Sequence, residues 1–325
     1  MAVRIGVAGA GALGFHHARL LRELAGDAFV GIYDADPARA THVAEQLGVV
    51  AVPSLAALVD AAEAVSIAVP TAFHAETATA VLGAGRHAFI EKPVTVTVAD
   101  ADALAVLAAT NGAVVQVGHV ERYNRAIRAA RPVVRDAWYL EAERLAPYTP
   151  RGADVSVVLD LMIHDIDLAC WLLGAEPTAV AAIGGAWLKP TPDLAQARLT
   201  FAAGQVANLT TMRLADGRRR TLTVVQRNGL VRCDLATGTA EWWRLRDDVD
   251  PATLALAPQE AGAFAERMPL EAPEGETLRL EFLDWLAAIR GERPVAVSLA
   301  EGRTALAVAR QVEAAIADGI ARRGA

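Results

Sequence analysis

Short apolar runs alternate with longer helical stretches through the first 120 residues. The runs are Val3–Val7, Phe29–Tyr33, Val49–Ala51, Ala64–Ala68, His87–Ile90 and Ala113–Val117. Brief uninterrupted apolar runs of this kind read as strands of a sheet covered on both faces. The intervening stretches Phe15–Leu24, Pro37–Leu47, Leu55–Ala61, His74–Ala84 and Val98–Thr110 read as helices. Local signals agree: Asp36 precedes Pro37 as a cap before a first-turn proline, and Gly48, Gly85 and Gly112 stand where helices stop. Strand–helix alternation predicts βαβ units and a doubly wound parallel sheet over residues 1–120.

After Gly118 the texture changes. His119 to Arg135 is polar and arginine-rich. A strand is predicted at Tyr139–Leu145, then a loop at Pro147-Tyr148-Thr149-Pro150 and a helix from Val155 to Leu173. β-like runs follow at Ala179–Ile183, Ala195–Phe201, Val206–Met212, Arg220–Gln226, Leu230–Asp234 and Thr239–Leu245. Asp216-Gly217 and Asn228-Gly229 read as hairpin turns. Helices at Thr277–Ile289 and Leu299–Arg322 close the chain. Residues 121–325 are thus expected to form a second α/β domain around a large open, mostly antiparallel sheet.

A length of 325 residues suits two domains better than one continuous core. A net charge of −7 argues against a nucleic-acid partner, because phosphate backbones select basic faces. No apolar run approaches a membrane span, and the chain enters its first strand without a leader, so a cytoplasmic location is expected. Cys170 and Cys233 form neither metal spacing nor a disulfide framework, so no structural metal is expected.

Candidate chemistry begins at the end of the first strand. Gly9, Gly11 and Gly14 have the G-x-G-x-x-G spacing of a dinucleotide-binding turn. Gly9 permits the tight turn, Gly11 admits a pyrophosphate, and Gly14 lets the helix approach the strand. Asp34 closes the second strand, 20 positions after Gly14. An acidic residue there accepts from a ribose diol and repels a 2′-phosphate, which selects NAD over NADP. Lys92, in Glu91-Lys92-Pro93, follows another strand, where an open parallel sheet presents ligands. There it could exchange a proton with a carbinol oxygen; it also reads as a surface lysine in a turn. In Asp160-Leu161-Met162-Ile163-His164-Asp165-Ile166-Asp167, a helix brings Asp160 and His164 onto one face, with Asp167 three residues beyond. A histidine held by carboxylates is a proton acceptor near neutral pH. A core histidine, an acidic helix cap and a divalent-ion cluster are the other readings.

Gly9-x-Gly11-x-x-Gly14, Val69-Pro70-Thr71 with His74, Ala84-Gly85-x-His87, Glu91-Lys92-Pro93 and Asp160-x-x-x-His164 occur in that order. The chain therefore resembles the glucose–fructose oxidoreductase / inositol dehydrogenase / MocA family over nearly its whole length. The resemblance implies a Rossmann domain followed by an open-sheet α/β domain, with Lys92 and His164 acting at the substrate carbinol and Asp160 assisting. It implies cofactor contacts from Gly9, Gly11, Ala12, Leu13, Gly14, Asp34, Pro70, Thr71, His74, Glu91 and Lys92. Thr71 stands where many members have asparagine, and Met162-Ile163 where small residues are common. The segments Gly118–Asn124, Leu145–Tyr148 and Asp160–Asp167 resemble the subgroup of UDP-N-acetylglucosamine 3-dehydrogenases. Expected substrate contacts are Tyr123, Asn124, Arg144, Arg151 and His164, with guanidinium forks from Arg144 and Arg151 on a diphosphate. Arg122, Arg125, Arg128, Arg131 and Arg135 line one side of a helix and read as a solvated face.

The expected activity is NAD-dependent oxidation of a sugar hydroxyl, at C3 of UDP-N-acetylglucosamine or a related UDP-sugar. The substrate partner is thus a sugar or sugar nucleotide, and the assembly a homodimer or homotetramer. Alternatives are a dehydrogenase of a free sugar or cyclitol, and a non-catalytic NAD-binding sensor.

Overall fold

The apolar runs of the N-terminal part assemble into one parallel sheet. Its strands are β1 (Ile5–Ala8), β2 (Phe29–Tyr33), β3 (Ala64–Ile67), β4 (His87–Glu91) and β5 (Val115–Gly118). The order is β2-β1-β3-β4-β5, and every pairing is parallel. A computed structural model describes residues 2–149, 155–188, 190–249 and 261–324. Helices α1 (Ala12–Ala25), α2 (Pro37–Leu47), α3 (Leu55–Ala61), α4 (His74–Gly83) and α5 (Val98–Thr110) connect the strands. Asp36 caps α2 by accepting from the amides of Ala38 and Arg39, and Gly48 ends it in the left-handed region, φ +61°. The segment Val49–Ala51, expected as a strand, makes a single bridge from Ala51 to Ile32. Strand order reverses between β1 and β3, so a crevice opens beyond their carboxyl ends. Into that edge run the loops after β1, β3 and β4, which carry Gly9–Gly11, Pro70–Thr71 and Lys92.

The chain divides into two units: Met1–Val120 with Glu276–Leu306, and Glu121–Gly275 with Ala307–Ala325. Residues 276–306 therefore belong with the first unit, although the sequence reading assigned all of 121–325 to the second. The reason is aromatic packing. Helices α6 (Arg125–Ala130) and α7 (Ile163–Leu173) belong to the second unit. Helix α8 (Thr277–Ile289) buries Phe282 and Trp285 completely, with ring centroids 5.0 and 5.6 Å from Phe89 of β4. Each buried ring contributes about 1.5–3 kcal/mol by leaving water. Amphipathicity shows that a helix buries a face, but not which sheet covers it.

The second unit is built on an eight-stranded sheet. Its strands are β6 (Ala137–Leu145), β7 (Pro177–Gly185), β8 (Leu194–Phe201), β9 (Val206–Met212), β10 (Arg219–Gln226), β11 (Gly229–Asp234), β12 (Thr239–Leu245) and β13 (Ala265–Leu270). They lie in the order β13-β12-β11-β10-β6-β9-β8-β7. All neighbours are antiparallel except β6 and β9. Burial alternates along β8 and β9, as expected of a sheet with one covered face. Asn228-Gly229 does join a hairpin, β10 to β11, with Gly229 at φ +125°. Asp216-Gly217 does not: β6 inserts between β9 and β10, so that dipeptide lies on a crossing connection. Strand β13 escaped the sequence reading because Pro269 interrupts its pattern, which an edge strand tolerates. A last helix, α9 (Leu299–Gly324), runs through both units' sequence ranges. Among the described residues no helix is long and apolar enough to cross a membrane.

Candidate active site

In the first unit the glycine turn has the form that its spacing predicts. Gly9 sits at φ +106°, and a Cβ there would meet the Ala68 carbonyl of the neighbouring connection. A Cβ at Gly14 would collide with the Gly9 carbonyl oxygen. At Gly11, by contrast, a Cβ would enter open space. Helix α1 begins at Ala12, three residues before the expected Phe15, and Gly11 offers no side-chain cap. The first-turn amides, including those of exposed Ala12 and Leu13, thus have no partner within the helix. A pyrophosphate fits here: the approach is open, the donors are in place, and the helix end favours negative charge.

Asp34 follows β2 and braces this turn. Its Oδ2 accepts from the Ala10 amide at 2.7 Å and its Oδ1 from the Asp36 amide at 2.9 Å. Arg39 lies 3.4 Å from Asp34 and 3.3 Å from Asp36, its charge matched by both. Each carboxylate oxygen of Asp34 retains acceptor capacity for a ribose hydroxyl. After β3, Pro70 is exposed and Thr71 half-buried at the start of a short 3-10 turn, Thr71–Phe73.

Two expected cofactor contacts are occupied otherwise. His74 is buried, and its ring nitrogens face the Pro93 and Val69 carbonyls at 2.9 and 3.0 Å. It ties the loop after β3 to the loop after β4 and is not available to a nucleotide. Glu91 is likewise turned inward. Its Oε1 accepts from His17 Nε2 at 3.0 Å, and its Oε2 accepts from the Lys92 amide at 3.1 Å. Burial raises the Glu91 carboxyl, but the His17 hydrogen bond and charge, with Lys92, bring it below its ordinary value. Lys92 itself is half-buried, and its peptide bond to Pro93 is cis.

In the second unit, the octapeptide around His164 is only partly the helix that its sequence suggests. Val158–Met162 is a π-helical turn, and the α-helix starts at Ile163. Asp160 lies in that wide turn and His164 in the first turn of α7, both half-buried. Wide turns of this kind are rare and frequent at functional sites. The flanking carboxylates are taken by arginines. Arg122 forks onto Asp167, Nε to Oδ2 at 2.8 Å and Nη2 to Oδ1 at 2.6 Å. Arg144 forks onto Asp165, Nε to Oδ2 at 3.0 Å and Nη2 to Oδ1 at 2.8 Å, and donates through Nη1 to Glu121 at 2.8 Å. These forks bolt α7 to β6 and to the segment before α6.

Several substrate assignments change accordingly. Arg144 is 2 % exposed and its donors are committed, so it is a structural arginine and not a diphosphate ligand. Burial disfavours its charge, but Asp165 and Glu121 hold it above its ordinary value. Asp167 takes the Arg122 fork on both carboxylate oxygens. Asn124 caps α6, accepting from the Ala126 amide and donating to Glu121 and the Leu235 carbonyl. It is therefore a structural cap. Tyr123 is buried. The arginine row is structural too: Arg125 pairs with Glu274, Arg128 donates to the Pro273 carbonyl, and Arg122 and Arg131 lie over Trp171. Arg151 lies outside the described residues. No group of three or more potential metal ligands occurs among the described residues.

Sequence reasoning passed over one feature of this unit. A cavity of about 180 Å³ is lined by Thr149, Asp160, Arg213, Arg218 and Arg220, among others. The signal was the run Arg218-Arg219-Arg220, overlooked because Asp216-Gly217 before it read as an ordinary hairpin turn.

Comparison with known proteins accounts for both units. Residues 3–119 match the Gfo/Idh/MocA family model, described as an oxidoreductase family with an NAD-binding Rossmann fold. Residues 118–232 match the Gfo/Idh/MocA C-terminal domain. The UDP-N-acetylglucosamine 3-dehydrogenase of Acidithiobacillus ferrooxidans is 37% identical over 315 residues, covering 97% of each chain. A solved structure of that enzyme superposes with a TM-score of 0.88, covering 97% of this chain and 98% of the other. The inositol 2-dehydrogenase of Rhizobium meliloti is 32% identical over 195 residues, 56% of this chain and 58% of that one.

Proposed function

Since the chain belongs to the Gfo/Idh/MocA family of NAD-binding oxidoreductases, we propose that it oxidises the C3 hydroxyl of UDP-N-acetylglucosamine or a closely related UDP-sugar. One observation carries the choice of substrate. Sequence similarity to the UDP-sugar enzyme extends through both units at 37% identity, whereas sequence similarity to the inositol enzyme spans little more than half of the chain, and a solved putative myo-inositol dehydrogenase that covers 98% of it is only 25% identical.

NAD, when bound, accepts a hydride from the carbon that bears the reacting hydroxyl. The chain's own groups supply binding and proton transfer. The α1 amides at Ala12 and Leu13 receive the pyrophosphate, and Asp34 accepts from the adenosine ribose while disfavouring a 2′-phosphate. Lys92 and His164 serve the substrate hydroxyl. As the C–H bond breaks and the carbonyl forms, the hydroxyl proton passes to one of them. Asp160, in the π-turn four positions before His164, assists them. Tyr123, buried at the end of the turn before α6, shapes the sugar site. Glu91, His74, Arg122 and Arg144 act indirectly, by fixing the elements that carry these groups.

Product analysis tests this reading. Protein, NAD and UDP-N-acetylglucosamine should give a product two hydrogens lighter by mass spectrometry, with the new carbonyl at C3 by NMR. Oxidation of free myo-inositol or glucose, with UDP-sugars untouched, would overturn it.

A further inference from the structure

The diphosphate of a sugar nucleotide needs cations, and the arginine first expected to supply one, Arg144, is locked between Asp165 and Glu121. The cavity beside Asp160 offers others. Arg213, Arg218 and Arg220 line it against the single carboxylate of Asp160 among the residues that form it, so its wall carries an excess of positive charge.

The three arginines are not equivalent. Arg213 is 5 % exposed, donates to the Val155 carbonyl and lies 3.8 Å from Asp193, so it serves the scaffold. Arg220, the second residue of β10, stands opposite Arg144 of β6 in the ladder. Its side chain is 39 % exposed and sits at 3.7 Å from Glu121, a carboxylate already engaged by Arg144 at 2.8 Å. Arg218 is exposed on the connection from β9 to β10 and has no ion-pair partner among the described residues. That connection is brought to the cavity because β6 separates β9 from β10 in the sheet.

We propose that Arg218 and Arg220 bind the diphosphate of the sugar nucleotide, holding the sugar ring toward Asp160. The inference rests on the UDP-sugar reading above. Guanidinium groups suit this task because they stay charged and offer paired donors to phosphate oxygens. A volume of about 180 Å³ accommodates the phosphate-bearing part of the ligand and leaves the nucleoside outside. A free cyclitol would leave both arginines without an anion.

Kinetics and calorimetry of wild type, Arg218→Ala, Arg220→Gln and the double variant test the proposal, with UDP-N-acetylglucosamine as substrate and UDP alone as the binding probe. Loss of one charge-assisted contact should raise the KM for the UDP-sugar about tenfold or more and weaken UDP by a similar factor, with the KM for NAD unmoved. Arg218→Ala changes an exposed side chain, so a folded variant is obtained even if Arg220→Gln perturbs the sheet. If wild type oxidises UDP-N-acetylglucosamine and the double variant keeps its KM and UDP affinity, the arginine assignment is overturned and the UDP-sugar reading stands. If wild type oxidises no UDP-sugar, that reading falls and the arginine assignment falls with it.

Discussion

His17 donates through Nε2 to Glu91 Oε1 at 3.0 Å inside the first unit, and its Nδ1 lies 2.8 Å from Ser66 Oγ. Glu91 is ionised because its carboxyl lies below the ordinary value. With Nε2 directed at Glu91, Nδ1 is left to face the Ser66 hydroxyl. This chain of bonds stands directly behind Lys92, whose amide donates to the same carboxylate.

Removing its centre should cost stability. His17→Phe leaves the Glu91 carboxylate buried without its strongest partner, and denaturant unfolding at neutral pH should record a loss of about 1–3 kcal/mol. Glu91 has its lower pKa in the folded state, so its contribution is present above the unfolded value of 4.5 and is lost as pH falls through the folded value. Glu91→Gln should flatten the acid limb of the stability curve below pH 4.5. Equal acid sensitivity in wild type and variant would contradict this.

His74 gives a second pH signature. Burial pushes its pKa below 6.5, against the opposing effect of the carbonyls it faces. With the folded value depressed, the stability that it contributes is complete above pH 6.5 and falls as pH drops through the folded value. Thermal melts should show a shallower decline on acidification below pH 6.5 in His74→Gln than in wild type.

For Arg144, the forks predict a folding defect and not a specific binding defect. Arg144→Met strands Asp165 in the interior, which should cost about 3–5 kcal/mol. Chemical unfolding measures this directly. A variant of unchanged stability with a raised substrate KM would restore Arg144 to the substrate site.

The three glycines of the nucleotide turn should separate by phenotype. Gly11→Val adds atoms to open space, so its melting temperature should stay near that of wild type while NAD affinity, by calorimetry, falls at least about tenfold. Gly14→Ala must displace the Gly9 carbonyl, and should lower the melting temperature itself.

Much of this site could be read from the chain because its signals are local. Gly9, Gly11 and Gly14 act through backbone conformation and close approach, which neighbouring residues dictate. Asp34 and Lys92 lie at the ends of apolar runs, where a parallel sheet presents its ligands. What stayed hidden depends on partners distant in sequence. Nothing near Arg144 announces that Asp165 will claim it, and nothing near Glu91 announces His17, 74 residues away. The π-turn at Asp160 has no spacing signature of its own. Arg218 and Arg220 reach the cavity because β6 inserts between β9 and β10, an arrangement that hairpin rules do not anticipate. The assignment of α8 to the first unit likewise follows from Phe282 and Trp285 finding Phe89.

The most direct measurement is the rate of nicotinamide reduction when UDP-N-acetylglucosamine is added to protein and NAD, compared among wild type, Lys92→Ala and His164→Ala. Wild type should turn over, and each variant should lose about two to four orders of magnitude in kcat while binding NAD as before. Equal turnover in all three proteins would contradict the account.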